Sequence, residues 1–325
     1  MTSVPLRDRL AVGVFRLVDA RSKRRGTRQT PSQSAQKPVA ERLGGVPPSF
    51  VTRPGPRDLR VTEHALPSGA TLRCYQPATA GSGPRPALLY VHGGGWIWGS
   101  TDTLDPFLRR IVAELGAVVV GVDYRLAPDH RFPAAIDDCT DALAWLRAQA
   151  EVLDVDPTRI AVMGDSAGAN LAAALALHDR DSHDGPPLVA QVLVYPITDL
   201  TLGDAWVRDY RGPGLTSEDC RQLVELYLND PAEQHDQRAS PHHAANLADL
   251  PPALVVTAAL DPLREQGRAY AAMLAEAGVS SRWVDYPGVP HGFFGADRLL
   301  VSAHRAQRLT LAMLTTHLVE PGRRA

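Results

Sequence analysis

The chain has 325 residues, of which 44% are hydrophobic and 22% charged, and its formal net charge is −2. These are the values of an ordinary globular protein, and the length suits one large domain with an insertion better than a minimal module. No segment reaches the run of about 18 apolar residues that a membrane-spanning helix requires, so no stable membrane insertion is expected.

The cysteines and the N-terminal apolar stretch bear on the cellular location. Cys74, Cys139 and Cys220 show no paired spacing, so they indicate neither a disulfide framework nor a Cys-x-x-Cys metal site. The apolar residues 10–15 lie close between two arginines, unlike the core of a signal peptide. We therefore expect a cytoplasmic protein.

The first 60 residues are basic, with 13 Lys or Arg against four Asp or Glu. A basic arm can bind nucleic acid or an anionic membrane surface. Apolar residues between Leu6 and Val18 fall on one face of a predicted amphipathic helix, and residues 23–37 are polar. We interpret residues 1–50 as a cap segment with a linker and expect no nucleic-acid partner, with a binding tether as the alternative.

From about Val61 the chain alternates between strand-like and helix-like segments, which is typical of an α/β protein with a mostly parallel sheet. The predicted strands are residues 71–76, 87–91, 117–123, 160–163, 190–195, 253–258 and 282–286. The predicted helices are residues 104–115, 133–150, 167–177, 217–228, 263–277 and 298–318.

One segment breaks this alternation. Residues 199–240 lie between two predicted strands but contain a helix, a Gly-Pro-Gly turn and several aromatic residues. We predict an insertion above the carboxyl edge of the sheet, where α/β sheets bind ligands. The core would then consist of residues 51–198 and 241–325, and the insertion would form a cap together with residues 1–50.

Two glycine-rich motifs follow predicted strands. Gly-Asp-Ser-Ala-Gly at residues 164–168 stands between a strand and a helix, which is the arrangement of a nucleophile elbow. Alone, this pentapeptide would occur by chance in roughly one chain of this length in ten. His-Gly-Gly-Gly-Trp at residues 92–96 is the loop type that supplies backbone N–H groups to an oxyanion hole. Together the motifs indicate acyl transfer on Ser166.

A serine nucleophile needs a general base and an acid that orients the base. In α/β proteins with a nucleophile elbow, these residues follow in the order serine, acid, histidine. Of eleven histidines, His291 opens the loop after the last predicted strand. Asp261 ends the preceding strand and also suits a helix N-cap. Asp285, inside a strand, and Asp199, at the start of the insertion, are the alternatives. The predicted triad is Ser166, Asp261 and His291.

Six motifs in order, spread over about residues 60–320, resemble those of the hormone-sensitive-lipase-like (bacterial family IV) esterases. The resemblance implies an α/β-hydrolase fold with an eight-stranded, mostly parallel sheet flanked by helices, and a helical cap. It implies a serine carboxylesterase that works through an acyl-enzyme, without a metal or cofactor. The motifs are HGGGW at 92–96, DYRLAP at 123–128, FPAA at 132–135, GDSAG at 164–168, LDPLR at 260–264 and HGF at 291–293.

The resemblance also assigns roles to individual positions. The sequence departs from the family pattern at two places. Residue 169 is alanine where the family frequently has glycine, and residues 261–267 are DPLREQG where the family frequently has DPLRDEG. Neither departure touches a reacting residue. The implied nucleophile, base and orienting acid are Ser166, His291 and Asp261, the oxyanion hole comprises the N–H groups of Gly94, Gly95 and Ala167, and the supporting residues are His92, Gly93 and Asp165.

Aromatic side chains near these motifs are candidates for the walls of an apolar substrate pocket, and equally for core or cap packing. A cap over the site favours soluble short- or medium-chain esters as small-molecule substrates. The alternatives are an amidase or lactonase with the same triad and, less favoured, a ligand-binding receptor on this scaffold. A homodimer is compatible with this fold. The five aromatic candidates are Trp96, Trp98, Tyr195, Trp206 and Phe293.

Overall fold

The computed structural model describes residues 4–9, 52–79, 83–203, 210–212 and 214–320. One eight-stranded sheet runs through this part of the chain, in the order β1-β2-β4-β3-β5-β6-β7-β8. The strands are β1 (Leu59–Ala65), β2 (Thr71–Pro77), β3 (Arg85–Val91), β4 (Val118–Asp123), β5 (Val155–Asp165), β6 (Ala190–Val194), β7 (Ala253–Leu260) and β8 (Ser281–Pro290). The main helices are α1 (Asp105–Leu115), α2 (Ala134–Ala148), α3 (Ala167–Ser182), α4 (Ser217–Tyr227), α5 (Arg264–Glu276) and α6 (Val301–Leu314).

The sheet is parallel except around β2, which pairs antiparallel with both β1 and β4. Strands β3 to β8 pair in parallel. Strand β3 is buried from its second residue onward and β6 throughout, as expected for parallel strands covered on both faces. Because the carboxyl ends of parallel strands meet at one edge, the loops after β3, β5, β7 and β8 come together there.

The sheet separates two apolar layers. Helices α2, α3 and α5 pack on one face, and α1 and α6 pack on the other, where Phe107 meets Phe294 edge to face at 5.2 Å. Helix α3 is buried on nearly all sides for its first eleven residues. Its alanine-rich sequence explains this position, because small side chains allow a helix to be enclosed between the sheet and neighbouring helices.

The predicted α/β-hydrolase fold class is confirmed, and the differences lie at element ends and at the sheet edge. Strand β1 was not predicted, because an edge strand with alternating exposed residues (LRVTEHA) lacks a continuous apolar run. Strand β8 extends to Pro290, four residues beyond its predicted end. Helix α6 begins at Val301 and not at residue 298. The residues before it form a short helical turn, Phe293–Gly295, and a loop that connects this turn to α6.

The described N-terminal residues attach to the core next to β8. The Asp8 carboxylate accepts hydrogen bonds from the backbone N–H groups of Val301 (2.8 Å) and Ser302 (3.1 Å), and so caps the start of α6. Residues 10–50, which carry most of the predicted cap segment, lie outside the described residues. In the part of the chain that is described, no helix is long and apolar enough to cross a membrane.

The predicted insertion supplies helix α4, which lies over the glycine-rich loop after β3. The Tyr227 ring stacks on Trp96 with ring centroids 4.3 Å apart. A capping box of Thr216 and Asp219 begins the helix, as their side chains satisfy each other's backbone N–H groups. Helix α4 thereby covers the region where the predicted reacting groups meet.

Candidate active site

Ser166 occupies a sharp turn between β5 and α3. Its backbone has φ 57° and ψ −122°, a strained conformation typical of a nucleophile elbow. The flanking glycines are required by close packing: a Cβ on Gly164 would lie 2.1 Å from the Gly168 carbonyl oxygen, and one on Gly168 would lie 2.1 Å from the Val91 carbonyl oxygen. The Ser166 N–H donates to the Val194 carbonyl at 2.8 Å, which ties the turn to β6.

The three predicted triad side chains form a continuous hydrogen-bonded relay. His291 Nε2 lies 2.8 Å from Ser166 Oγ, and His291 Nδ1 lies 2.7 Å from Asp261 Oδ2. The Asp261 side chain is completely buried, and that of His291 is 4% exposed. Asp261 Oδ1 accepts the Leu263 N–H at 2.9 Å, so this carboxylate also caps the turn into α5. In this arrangement the imidazole can take the serine proton while the carboxylate orients it.

The two alternative acids are engaged elsewhere. Asp285 accepts hydrogen bonds from Thr257 Oγ1 (2.8 Å) and from the Arg264 guanidinium (3.0 Å). Asp199 lies 3.1 Å from His243 Nε2. Neither carboxylate contacts His291, so the geometry favours Asp261.

The glycine-rich loop after β3 lies beside Ser166. Gly94 and Gly95 have φ of 122° and 60°, a region that side chains rarely adopt. A Cβ on Gly94 would lie 1.9 Å from the Trp98 carbonyl oxygen, and one on Gly95 would lie 2.5 Å from Leu223 of α4. Within the described residues, no acceptor takes the N–H groups of these two glycines.

Ala167 is the first residue of α3, so its N–H has no partner within the helix. The three N–H groups predicted to form an oxyanion hole, those of Gly94, Gly95 and Ala167, therefore have no acceptor within the described residues.

Asp165 connects the elbow to the glycine-rich loop. Its carboxylate accepts the Gly93 N–H at 3.1 Å and the Tyr90 hydroxyl at 2.8 Å. Burial raises the pKa of Asp165, and the hydrogen bonds from Tyr90 and Gly93, with the attraction of the His291 imidazole, act in the opposite direction. Sequence reasoning missed Tyr90; its only signal is a hydroxyl in an otherwise apolar buried strand.

His92 is completely buried and supports the same loop. Burial lowers the pKa of His92, which favours the neutral ring, and Nδ1 donates to the Gly93 carbonyl at 2.7 Å. The ring stacks on Tyr124 with centroids 4.3 Å apart, and the Tyr124 hydroxyl donates to the His92 carbonyl at 3.1 Å. His92 is therefore a structural group in the loop.

We expect Tyr90→Phe to lower the free energy of unfolding by about 1–3 kcal/mol, because the buried Asp165 carboxylate loses a donor that water cannot replace. Urea unfolding followed by fluorescence measures the change. Tyr227→Phe is the matched control, since the buried Tyr227 hydroxyl has no hydrogen-bond partner among the described residues. Equal losses in the two variants would contradict a specific role for the bond to Asp165.

The aromatic pocket candidates differ in where the structure places them. Trp96, Tyr195 and Phe293 are only 1%, 3% and 2% exposed, so they belong to the packing around the site and offer almost no surface as pocket walls. Trp98 is partly exposed and keeps its place as a candidate. Residue 206, the fifth candidate, lies outside the described residues.

Two buried amides that sequence reasoning missed hold the ends of the insertion. Asn170, one turn after Ser166, donates to the carbonyls of Ile197 (2.9 Å) and Ala239 (2.7 Å). The Gln266 side chain accepts the Thr198 N–H at 2.8 Å and donates to the Asp199 carbonyl at 2.9 Å. The helices that follow Ser166 and Asp261 therefore anchor the insertion directly.

Comparison with known proteins identifies the family to which this chain belongs. A family model described as an α/β hydrolase fold matches residues 88–295, which include both glycine-rich motifs and all three relay residues. The chain belongs to the α/β-hydrolase family. The predicted resemblance to its hormone-sensitive-lipase-like branch is confirmed.

Relatives with esterase names match most of the chain. An ethyl acetate hydrolase of Pseudomonas putida is 37% identical over 262 residues, covering 78% of this chain and 80% of the relative. Carboxylesterase NlhH of Mycobacterium tuberculosis is 41% identical over 235 residues, covering 70% of this chain and 73% of the relative. The structure of a hyperthermophilic esterase from the archaeon Pyrobaculum calidifontis superposes with a TM-score of 0.82 at 34% identity, covering 93% of this chain and 97% of that one.

Proposed function

We propose that this carboxylic ester hydrolase cleaves short- to medium-chain esters through an acyl-enzyme on Ser166. The observation that carries the proposal is the unbroken relay from Asp261 through His291 to Ser166 Oγ, with contacts of 2.7 and 2.8 Å. A hydroxyl held by a base that is itself oriented by a buried carboxylate is the arrangement that activates a serine.

The mechanism follows from these positions. Ser166 Oγ attacks the ester carbonyl while His291 Nε2 takes its proton. The N–H groups of Gly94, Gly95 and Ala167 stabilise the oxyanion, and the loss of one such donor typically costs about 3 kcal/mol of transition-state stabilisation. His291 then protonates the leaving alcohol, and a water activated by the same imidazole hydrolyses the acyl-enzyme.

Two features support small esters as the substrate class. Helix α4 lies over the glycine-rich loop, with Leu223 close enough to Gly95 that a Cβ there would clash. A covered site suits a dissolved ester better than a molecule held at an oil–water interface. The Pseudomonas putida relative is named for ethyl acetate, a short ester.

A ladder of p-nitrophenyl esters from acetate to palmitate tests the substrate class. We expect kcat/KM to peak between acetate and octanoate and to be at least roughly tenfold lower for palmitate, because extra methylenes that find no enclosed pocket gain no transition-state binding. A matched anilide measured beside the best ester separates esterase from amidase activity. Equal kcat/KM on palmitate and butyrate, or faster cleavage of the anilide, would contradict the proposal.

A further inference from the structure

Tyr195 stands where three parts of the site meet, directly after β6. Its N–H donates to the Val256 carbonyl at 2.6 Å, and the carbonyl of the preceding residue, Val194, accepts the Ser166 N–H at 2.8 Å. Its backbone has φ 39°, in the left-handed region that a bulky side chain rarely adopts. Such a conformation persists only where the surrounding contacts enforce it. Residues of this kind are frequent at functional sites.

The Tyr195 ring lies against the imidazole of the relay. The ring centroids of Tyr195 and His291 are 4.5 Å apart, with an angle of 52° between the planes. On another side the ring meets Phe293 at 6.0 Å, and Phe293 in turn meets Tyr286 at 5.4 Å. With 3% of its surface exposed, Tyr195 touches the histidine and its loop and leaves almost no area for a ligand.

The phenol of Tyr195 is buried near the Asp165 and Asp261 carboxylates. Burial raises the pKa of this phenol, and the charges of Asp165 and Asp261 act in the same direction. The phenol therefore stays protonated near the Asp165 carboxylate, which accepts the Gly93 N–H.

We propose that Tyr195 is a positioning residue for His291: its ring supports one face of the imidazole and keeps both ring nitrogens aligned with Ser166 and Asp261. The inference rests on the proposed function, because it concerns the same relay. It replaces the pocket-wall role, one of the two roles that the sequence left open for this residue. The imidazole is attached by two rotatable bonds, and its two hydrogen bonds lie on opposite sides of the ring. A small rotation lengthens both, and misplacement of a catalytic group by about 1 Å can cost 100-fold in rate.

The test separates support of the imidazole from contact with substrate. We expect Tyr195→Leu to lower kcat by roughly 10- to 100-fold, with KM for p-nitrophenyl butyrate within about twofold of wild type, because the ring contact is lost and the ester site is not. Tyr195→Phe keeps the ring and should retain at least about a third of the wild-type kcat. If the leucine variant does not fold, Tyr195→Met replaces it, because methionine is unbranched, adapts to irregular gaps and is close in volume to leucine.

Tyr270→Leu is the matched control, because it removes an equally buried tyrosine ring from α5, and the Tyr270 hydroxyl has no hydrogen-bond partner in the described chain. It should lower the thermal midpoint and leave kcat unchanged well below that temperature. A wild-type kcat in Tyr195→Leu or Tyr195→Met would overturn the inference. So would a rise in KM that grows with acyl length, since that pattern marks a pocket wall.

The phenylalanine variant gives a further independent check. If Tyr195→Phe loses as much kcat as Tyr195→Leu, ring support is not what positions the imidazole, and the inference fails. The proposed function fails by a different result, namely activity that survives loss of the Ser166 hydroxyl. The two failures can therefore be distinguished in the same set of assays.

Discussion

Ser166→Ala is expected to reduce kcat for p-nitrophenyl butyrate by roughly 10⁴-fold or more. The alanine keeps the backbone and the Cβ, so the elbow and its hydrogen bond to Val194 remain. The nucleophilic oxygen is lost, and His291 and the oxyanion donors cannot form the acyl-enzyme without it. Steady-state kinetics on highly purified protein, together with the absence of a burst of p-nitrophenol, measure the effect.

Ser182→Ala controls for contamination and for general effects of serine replacement. Ser182 is the last residue of α3, at the end of the helix remote from the elbow. Its replacement should leave kcat and KM at wild-type values. Ester hydrolysis that persists in Ser166→Ala at more than about a hundredth of the wild-type rate would show that another group performs the chemistry.

Asp261→Asn has the second large expected effect, a fall in kcat of about 10⁴-fold, as the same exchange produces in a serine-protease triad. The reason lies in the two oxygens of this carboxylate. Oδ1 accepts the Leu263 N–H, so the oxygen of an asparagine must take that place and its NH₂ group must face His291. The imidazole then presents an unprotonated Nδ1 to the amide and carries its proton on Nε2, where it cannot accept the serine proton.

The other candidate acids provide the controls for this variant. Asp285→Asn weakens the contacts with Arg264 and Thr257, and Asp199→Asn weakens the contact with His243. Both should lower stability, measured as the thermal midpoint, while kcat stays within about threefold of wild type. A loss in Asp285→Asn as large as that in Asp261→Asn would overturn the assignment of the acid.

The sequence predicted the central strands well, and with them the positions of the reacting groups at the strand ends. Buried parallel strands are continuous apolar runs that end at loops marked by glycine, proline or polar residues. It did not predict β1, whose alternating polar residues resemble a loop when its pairing with β2 is unknown. The buried amides of Asn170 and Gln266 were also missed. Their partners are backbone groups up to 69 residues away, and no local pattern reveals such contacts.

Tyr195 illustrates the same limit for a side chain near the site. An aromatic residue at the end of a strand suits either a pocket wall or the core, and the two roles have the same sequence pattern. The tertiary structure places its ring against His291, almost 100 residues further along the chain. The two residues meet because they follow β6 and β8, which lie on either side of β7 in the sheet.

By itself, the sequence determined which chemical groups this protein carries and the loop types that present them, since Gly-x-Ser-x-Gly and His-Gly-Gly-Gly are short motifs that can be recognised from their own residues. Only the tertiary structure decided which carboxylate reaches the histidine and which residues hold the imidazole. Ser166 and Asp261 lie 125 and 30 residues from His291. Strand order brings them within hydrogen-bonding distance, and strand order arises from packing across the whole sheet.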